Sequence, residues 1–494
     1  MTTAKRIAKN SAFIFLGDAI GVILQLILVV YLVRYLGDVT FGKYAFVFAF
    51  TSLFMILSDL GLSVLSIREI ARDTSKAGEY LTNISITKFI LSLITIVLII
   101  LTINLMHYPR DTTLAVYIVG GVTVFTSFTA FFRSIFRAFE RMEYETITKI
   151  VEKILIFGSV MPVLFLGYGL IEVVSAMLTA QALIFVFTLM VVIKKFTRPK
   201  LSFDPSLCKS LIKEALPFGL ASVFAVIYFQ TDTIMLSMMK GDAVVGWYNA
   251  AYRLVMGVLF IPGAFVGALY PVLSRYFTSS KESLMFVYEK SFKFLLILAI
   301  PLGIGTTLLA DRIIIFLYGE DFAASIIALQ LLIWVASIHF IYSIVGYVLA
   351  SINKQLVDTR ITGISALLNV GLNLLLIPTY SYVGAGIASI TSLVFVFTCE
   401  FSYLQKNGYG FKVSKVVLKP LCAGAVMGLF IYGLWMMSIN LFVIAIGAIV
   451  AYAACLHLLK AFDEKEMELM RGMFKNELSI KILQRFRRYR NEWR

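Results

Sequence analysis

The stretch Leu36-Gly37-Asp38-Val39-Thr40-Phe41-Gly42-Lys43-Tyr44 joins two long apolar segments, and its Gly37, Asp38, Gly42 and Tyr44 return at the same spacing as Gly241, Asp242, Gly246 and Tyr248. The copies lie 204 residues apart, with six apolar segments inside that period. An even number of crossings brings the second half into the bilayer in the same orientation as the first. Parallel repeats of this kind occur among transporters. The competing reading is a coincidence of turn chemistry, since any tight connection between membrane helices favours Gly and tolerates Asp.

Composition agrees with a membrane chain. Hydrophobic residues make up 60%, charged residues only 15%, and mean hydropathy is +0.89. Soluble domains carry roughly a quarter charged residues, so no sizeable water-soluble domain is expected. Dividing the chain at its polar gaps gives fourteen expected spans: 11–36, 43–66, 81–106, 114–136, 147–167, 171–193, 215–239, 244–271, 291–311, 323–351, 357–378, 383–404, 416–437 and 440–460. Each is near the ~20 residues a helix needs to cross ~30 Å of hydrocarbon. The first span is too long for a signal peptide and lacks a small-residue cleavage site. The expected class is all-α, polytopic, with a six-helix lobe in 1–200, a second in 201–410, two further membrane helices in 411–460 and a basic tail in 461–494.

With a cytoplasmic N-terminus, the inner flanks hold all of the 44 Lys and Arg except Arg34, Lys43, Arg110, Lys240 and Arg312 outside and Arg253 within a span. That is the positive-inside bias, and both termini are expected in the cytoplasm of a cell-membrane protein. It also accounts for the net charge of +15, so nucleic acid is not needed as a partner. The tail around Ile482, Phe486 and Trp493, interleaved with Lys481, Arg485, Arg487, Arg488 and Arg490, reads as an amphipathic helix on the inner surface.

The outer loops are short, as at 166–170 and 437–439, and none could house a transferase or hydrolase domain. Cys208, Cys399, Cys422 and Cys455 have no paired spacing, and the three histidines are scattered, so neither a disulfide framework nor a metal site is expected. No GxxxxGK[ST] loop is present, which excludes ATP hydrolysis by that route. No cofactor is expected, and the energy source would be an ion gradient, with H⁺ or Na⁺ as candidates, the membrane potential or the substrate's own gradient.

Several short motifs then carry a resemblance. Asp59-Leu60-Gly61-Leu62 with Ile67-Arg68-Glu69-Ile70-Ala71-Arg72, Leu36-Gly37 through Tyr44, Gly246-Trp247-Tyr248 leading to Ala251 and Arg253, Leu317-Tyr318-Gly319, and Leu376-Ile377-Pro378 with Gly384-Ala385-Gly386 occur in order along the chain. In these the sequence resembles the polysaccharide-biosynthesis flippases, in the superfamily that includes O-antigen-unit flippases, the lipid II flippase and the multidrug and toxin extrusion antiporters. One departure lies between Thr379 and Val383, where the family pattern would put a glycine soon after the proline. The resemblance implies two six-helix lobes facing each other across a central cavity. It also implies movement of a lipid-linked oligosaccharide, on a polyprenyl- or dolichyl-(pyro)phosphate, from the cytoplasmic to the outer leaflet by alternating access.

Flipping such a headgroup requires a wet, polar groove with cations for phosphate, because each polar group stripped of water without a partner costs kilocalories. The candidate cavity residues are therefore polar ones inside spans: Asp18, Gln25, Lys88, Asp232, Arg253, Asn369 and Asn373. Lys88 has snorkelling to the inner headgroups as its alternative, and the stripe Thr362, Ser365, Asn369 and Asn373 has interhelical hydrogen bonding. Asp232 and Arg253, on adjacent helices at similar depth, are expected as an ion pair or as a switch in which Arg253 takes phosphate. Arg68 and the set Arg133, Arg137 and Arg141, spaced by four as if stacked on one helical face, are candidates for headgroup entry, with stop-transfer charge as the alternative.

Two other functions remain open at this stage. One is ion-coupled export of amphipathic cations, as in the multidrug branch. The other is a non-catalytic scaffold in envelope synthesis, with glycosyltransferases of the same pathway as partners. A cation exporter should present carboxylates and aromatics rather than basic groups, and Arg253 favours an anionic headgroup.

Overall fold

The computed structural model describes residues 3–200, 202–437 and 439–462. The expected amphipathic tail lies outside them. Helices α1 (Thr3–Asp59), α2 (Leu62–Arg72), α3 (Ala77–Leu105), α4 (Arg110–Ala138), α5 (Met142–Phe165) and α6 (Leu170–Lys195) form the first lobe. Helices α7 (Pro205–Lys240), α8 (Asp242–Val258), α9 (Phe260–Ser279), α10 (Lys281–Tyr318), α11 (Ser325–Ser351) and α12 (Gln355–Lys406) form the second, and α13 (Val413–Met436) and α14 (Leu441–Leu458) pack against α10. No strand occurs among the described residues.

Ten helical stretches among the described residues are long and apolar enough to cross a bilayer. Two of them hold two expected spans each. The break in α1 is at Gly37 (φ 69°, ψ 175°), a backbone region open essentially to glycine alone. The break in α12 is at Ser381 (φ 56°, ψ −138°), inside the segment where a glycine was expected. Gly241, between α7 and α8, repeats the Gly37 geometry at φ 88°, ψ 177°. The expected fifth and seventh spans fall on α5 and α7, both of which carry charge within the lobes.

The linker between lobes is fastened rather than loose. Lys200 N donates to Gly78 O (3.2 Å), Asn83 Nδ2 donates to Ser202 O (3.0 Å), and Asp204 N donates to Asn83 Oδ1 (2.9 Å). Asp204 then caps α7 by accepting from Ser206 N and Leu207 N, with Pro205 at the first helical position. The Ser206 hydroxyl, donating to the same carboxyl (2.7 Å), together with those N–H groups holds it below the usual carboxylate range.

The packing differs between the two membrane faces. On the face carrying the Gly37 and Gly241 turns, one hydrophobic core runs through both lobes, from Leu32, Phe41 and Val116 to Val245, Ile314 and Ala328. On the basic face each lobe has its own core, around Phe131 and Phe136 in the first and around Phe292 and Phe340 in the second. Only the start of α7, through Leu211 and Ala215, joins the first-lobe core there.

The repeated motif makes the shared core possible. A Cβ on Gly42 would lie 1.8 Å from the backbone oxygen of Asp242, and a Cβ on Gly246 would lie 2.1 Å from that of Asp38. The two copies of the turn thus pack reciprocally, each glycine admitting the other's backbone. Four inter-lobe hydrogen bonds surround them: Trp247 Nε1 to Asp38 Oδ2 (3.1 Å), Tyr108 OH with Ser237 Oγ (3.0 Å), and two from Arg34, to the carbonyls of Leu317 (2.6 Å) and Phe316 (2.5 Å). The last caps the C-terminus of α10 with a cation.

Candidate functional site

A cavity of about 280 Å³ lies in the first lobe, walled by α1, α4, α5 and α6 and closed by Arg253 from α8 of the second lobe. Its polar lining includes Gln25, Thr51, Ser52, Thr123, Thr126, Glu152, Lys153 and Gln181.

Arg253 reaches this cavity because of helix phase. Residues 246, 253 and 257 share one face of α8, since steps of seven and four residues each return within about 40° of the start. Gly246 meets α1 at Asp38, and a Cβ on Gly257 would lie 2.9 Å from the Leu26 side chain of α1. The guanidinium therefore sits in the α1–α8 seam between two close approaches. Its Nε is buried and has no hydrogen-bond partner among the described residues.

The opposite wall is an electrostatic ladder between α1 and α5. Lys149 Nζ pairs with Asp18 Oδ1 (2.9 Å) and Lys153 Nζ with Gln25 Oε1 (2.9 Å), so the Asp18/Gln25 face of α1 meets the 149/153 face of α5. Behind it, Arg133 pairs with Glu152 (2.7 Å), and Arg137 holds Glu145 through two bonds of 2.8 and 2.5 Å. Sequence reasoning named Asp18, Gln25, Arg133 and Arg137 but missed Glu145, Lys149, Glu152 and Lys153. The signal was present: Glu145, Lys149 and Lys153 recur every four residues at the start of an apolar span.

Other expectations are corrected. Lys88 neither snorkels nor faces the cavity. It is fully buried, paired with Asp59 and donating to Ser127 Oγ (2.8 Å). Arg141 does not stack on α4 with Arg133 and Arg137, because α4 ends at Ala138 and Glu140 turns the chain with φ 55°; Arg141 instead pairs with Glu143 (2.6 Å). Arg68 bridges the lobes, bonding Glu69 (2.6 Å) and, on α7, Glu214 (2.6 Å).

Asp232 and Arg253 are not an ion pair in this conformation. Asp232 is buried and accepts from Tyr248 OH (2.6 Å), Asn373 Nδ2 (2.6 Å) and Ser389 Oγ (2.5 Å). Tyr248 and Tyr252, one turn apart, face α7, and Tyr252 OH donates to Phe229 O (3.1 Å). Arg253 is turned about 100° further round the helix. Asn369 and Asn373 are fully buried with Asp232 and do not line an open cavity; Ser365 Oγ donates to Ser392 O (2.9 Å), the interhelical role weighed for that stripe.

Residues 7–277 match the family described as polysaccharide biosynthesis protein. The chain belongs to that family. Residues 217–375 also match the MatE family. Over 413 residues, 81% of this chain and 84% of the relative, the sequence is 25% identical to a probable low-salt glycan biosynthesis flippase, Agl15, of Haloferax volcanii. An uncharacterized membrane protein of Methanocaldococcus jannaschii is 26% identical over 294 residues, and the chain spans 58% of that relative's length. Among solved structures, the lipid II flippase MurJ in an inward closed conformation aligns with a TM-score of 0.76 at 16% identity, covering 90% of this chain and 98% of that one. An inward-facing multidrug resistance MATE transporter of the MOP superfamily aligns at 0.65 with 17% identity, covering 78% and 96%. This chain thus shares its overall fold with the two solved transporters.

Proposed function

We propose that this protein carries a lipid-linked saccharide, through its anionic phosphate or pyrophosphate, from the leaflet at its basic face to the opposite leaflet. The observation that carries the reading is Arg253, half-buried, with a buried Nε that has no partner among the described residues, in a membrane-embedded cavity at the lobe seam, with Lys153 on the facing wall. The Nε–H so placed lacks the hydrogen bond it had in water, and a phosphate oxygen would supply one. Gln25, Thr51 and Thr126 offer hydroxyl and amide groups for sugar. The names of the relatives, a glycan biosynthesis flippase and a putative O-antigen transporter of Shigella dysenteriae, support the same substrate class.

On this reading the basic face is cytoplasmic, the protein sits in the cell membrane with both termini inside, and the lobes span 1–200 and 201–410, with 411–460 appended. Pathway glycosyltransferases would supply the substrate. Asp232, with the unpartnered Oδ1 of Asn373 beside it, is the position where Na⁺ or H⁺ would bind. Drug-cation export, suggested by the MatE match, fits an unpartnered guanidinium less well.

The test uses proteoliposomes containing fluorescent lipid-linked saccharide and an impermeant reductant. Wild type should raise the accessible label. Arg253→Ala removes charge-assisted hydrogen bonds worth about 1.5–3 kcal/mol, so apparent affinity should fall ~10- to 100-fold, with Arg253→Lys between. Unchanged flipping by Arg253→Ala would refute the assignment.

A further inference from the structure

A second cavity, of about 240 Å³, lies within the other lobe and is unrelated to the phosphate site. It is bounded by Phe224, Tyr228 and Phe229 of α7, His339 and Tyr342 of α11, and Asp358 and Thr362 of α12. Beside it, on the returning half of α12, Glu400 is fully buried, and neither of its carboxyl oxygens has a hydrogen-bond donor among the described residues.

The neighbour of Glu400 is another carboxyl. Asp358 and Glu400 border the same small gap beside Gly346. A point one Cβ bond out from Gly346 is 3.7 Å from Asp358 Oδ1, 3.9 Å from Glu400 Oε2 and 4.0 Å from Tyr342 OH, so three oxygens converge on the space that this glycine leaves bare. Tyr342 OH already leans toward Asp358 Oδ1, at 3.4 Å.

A fully buried Glu400 without a donor and a half-buried Asp358 beside it cannot both stay charged at low cost. The titratable groups facing them are Tyr288 from α10, His339 and Tyr342 from α11, and Tyr228 from α7. Neither carboxylate has an ion pair with a described residue, so no described cation compensates their charge. Three oxygens are too few for sodium in place of its water shell, since hard cations take about six or more oxygen ligands. A proton needs only two.

We propose that Asp358 and Glu400 form a proton-binding site, holding one proton in an O–H of one carboxyl hydrogen-bonded to the other. The proton enters from water in the adjoining cavity and returns to it, leaving both carboxylates charged and mutually repelled. Repulsion would spread the two halves of α12, with α7 as the facing wall. That helix also carries Gly219, whose added Cβ would lie 2.8 Å from the backbone of Leu60 in the first lobe, and Glu214, bonded to Arg68. Occupancy is thereby placed to bias the lobe contact on the basic face. This coupling role rests on the transporter reading above; the proton site does not.

Infrared difference spectroscopy on the purified full-length protein in lipid nanodiscs tests it, because a protonated carboxyl has its own carbonyl stretch. Wild type should show a deuterium-sensitive band that disappears on raising pH. Glu400→Gln, which keeps the shape of the protonated side chain, should abolish it, as should Asp358→Asn. Asp232→Asn should leave it in place. Gly346→Ala, whose methyl would make only ordinary contacts, should also keep it if the carboxyls share a proton directly. The proposal is overturned by a wild-type spectrum without such a band from about pH 5 to about pH 8, by a band that survives Glu400→Gln in an Asp232→Asn background, or by one that sodium titration at fixed pH removes in that background.

Discussion

Gly42→Ala should open the lobes on the face that carries the repeated turns. In an isolated helix this substitution is favourable by about 1 kcal/mol. Here the new methyl would lie 1.8 Å from the Asp242 carbonyl oxygen, a backbone atom that cannot swing aside, whereas ordinary contact begins at 3.4 Å. The seam must therefore widen by about 1.6 Å, and by the same reasoning about 1.3 Å for Gly246→Ala against Asp38. Overpacking of this kind costs about 1–3 kcal/mol, and widening stretches the 3.1 Å Trp247–Asp38 bond beyond hydrogen-bonding range, worth about 1.5–3 kcal/mol for a charged acceptor. After the helix gain, about 1.5–5 kcal/mol is set against the closed seam, shifting the population about 10- to 5,000-fold. Spin labels at Leu114 and Ile327, exposed sites on that face of the two lobes, should report a longer distance by double electron–electron resonance in either variant. Gly267→Ala, with nothing within 4 Å of its Cβ, is the control and should match wild type. Wild-type distances in both Gly42→Ala and Gly246→Ala would refute the claim that the repeat is an inter-lobe closure.

Ser381→Gly should raise thermal stability in detergent by roughly 1 kcal/mol, because serine at φ 56° is strained where glycine is not; no gain would mean that the turn relaxes at no cost. Lys88→Met should destabilise by about 3–5 kcal/mol, measured by unfolding in detergent, by leaving Asp59 without its cation, and Asp59→Leu added to it should recover most of the loss. For topology, single cysteines at Lys43, Arg110 or Lys240 in a cysteine-free background should react with an impermeant thiol reagent added outside intact cells. A cysteine at Lys200 should not, and labelling there would reverse the proposed orientation.

The helices and their duplication were legible because membrane burial imposes a local signal: every span must be long and apolar, and every sharp break must accommodate an unusual backbone. The Thr379–Val383 departure shows how fine that signal is, since the missing glycine corresponds to a positive φ at Ser381. The contacts between elements were not legible. Nothing local says that Gly42 meets Asp242, or that the donors to Asp232 come from Tyr248, Asn373 and Ser389, separated by up to 157 residues. Asp232 and Arg253 misled because depth along a helix is readable from sequence, whereas the direction a side chain faces depends on which neighbour the helix packs against. Lys88 misled for a related reason, its partner Asp59 standing at the end of another helix.

The two closures differ in kind, and that difference suggests how substrate could drive the cycle. On the basic face the lobes meet through Leu211 and Ala215 at the start of α7, the short Leu60–Gly219 approach and the Arg68–Glu214 pair, whose side chains are 39% and 50% exposed and which is therefore worth only about 0–1 kcal/mol. On the other face a shared core and a reciprocal glycine seam hold the lobes together. On the proposed reading, the closure on the basic face is the one that parts to admit a phosphate to the cationic cavity. The same stripe of α8 that seals the far side, Gly246 and Gly257, has Arg253 between its two contacts. A ligand can shift a conformational equilibrium only by binding one state more tightly. A phosphate on Arg253 would do so by occupying the seam itself, since its bulk is incompatible with α1 and α8 in contact while its charge is held by the guanidinium between them. The energy to part the stronger closure would then come from the headgroup at the moment it binds.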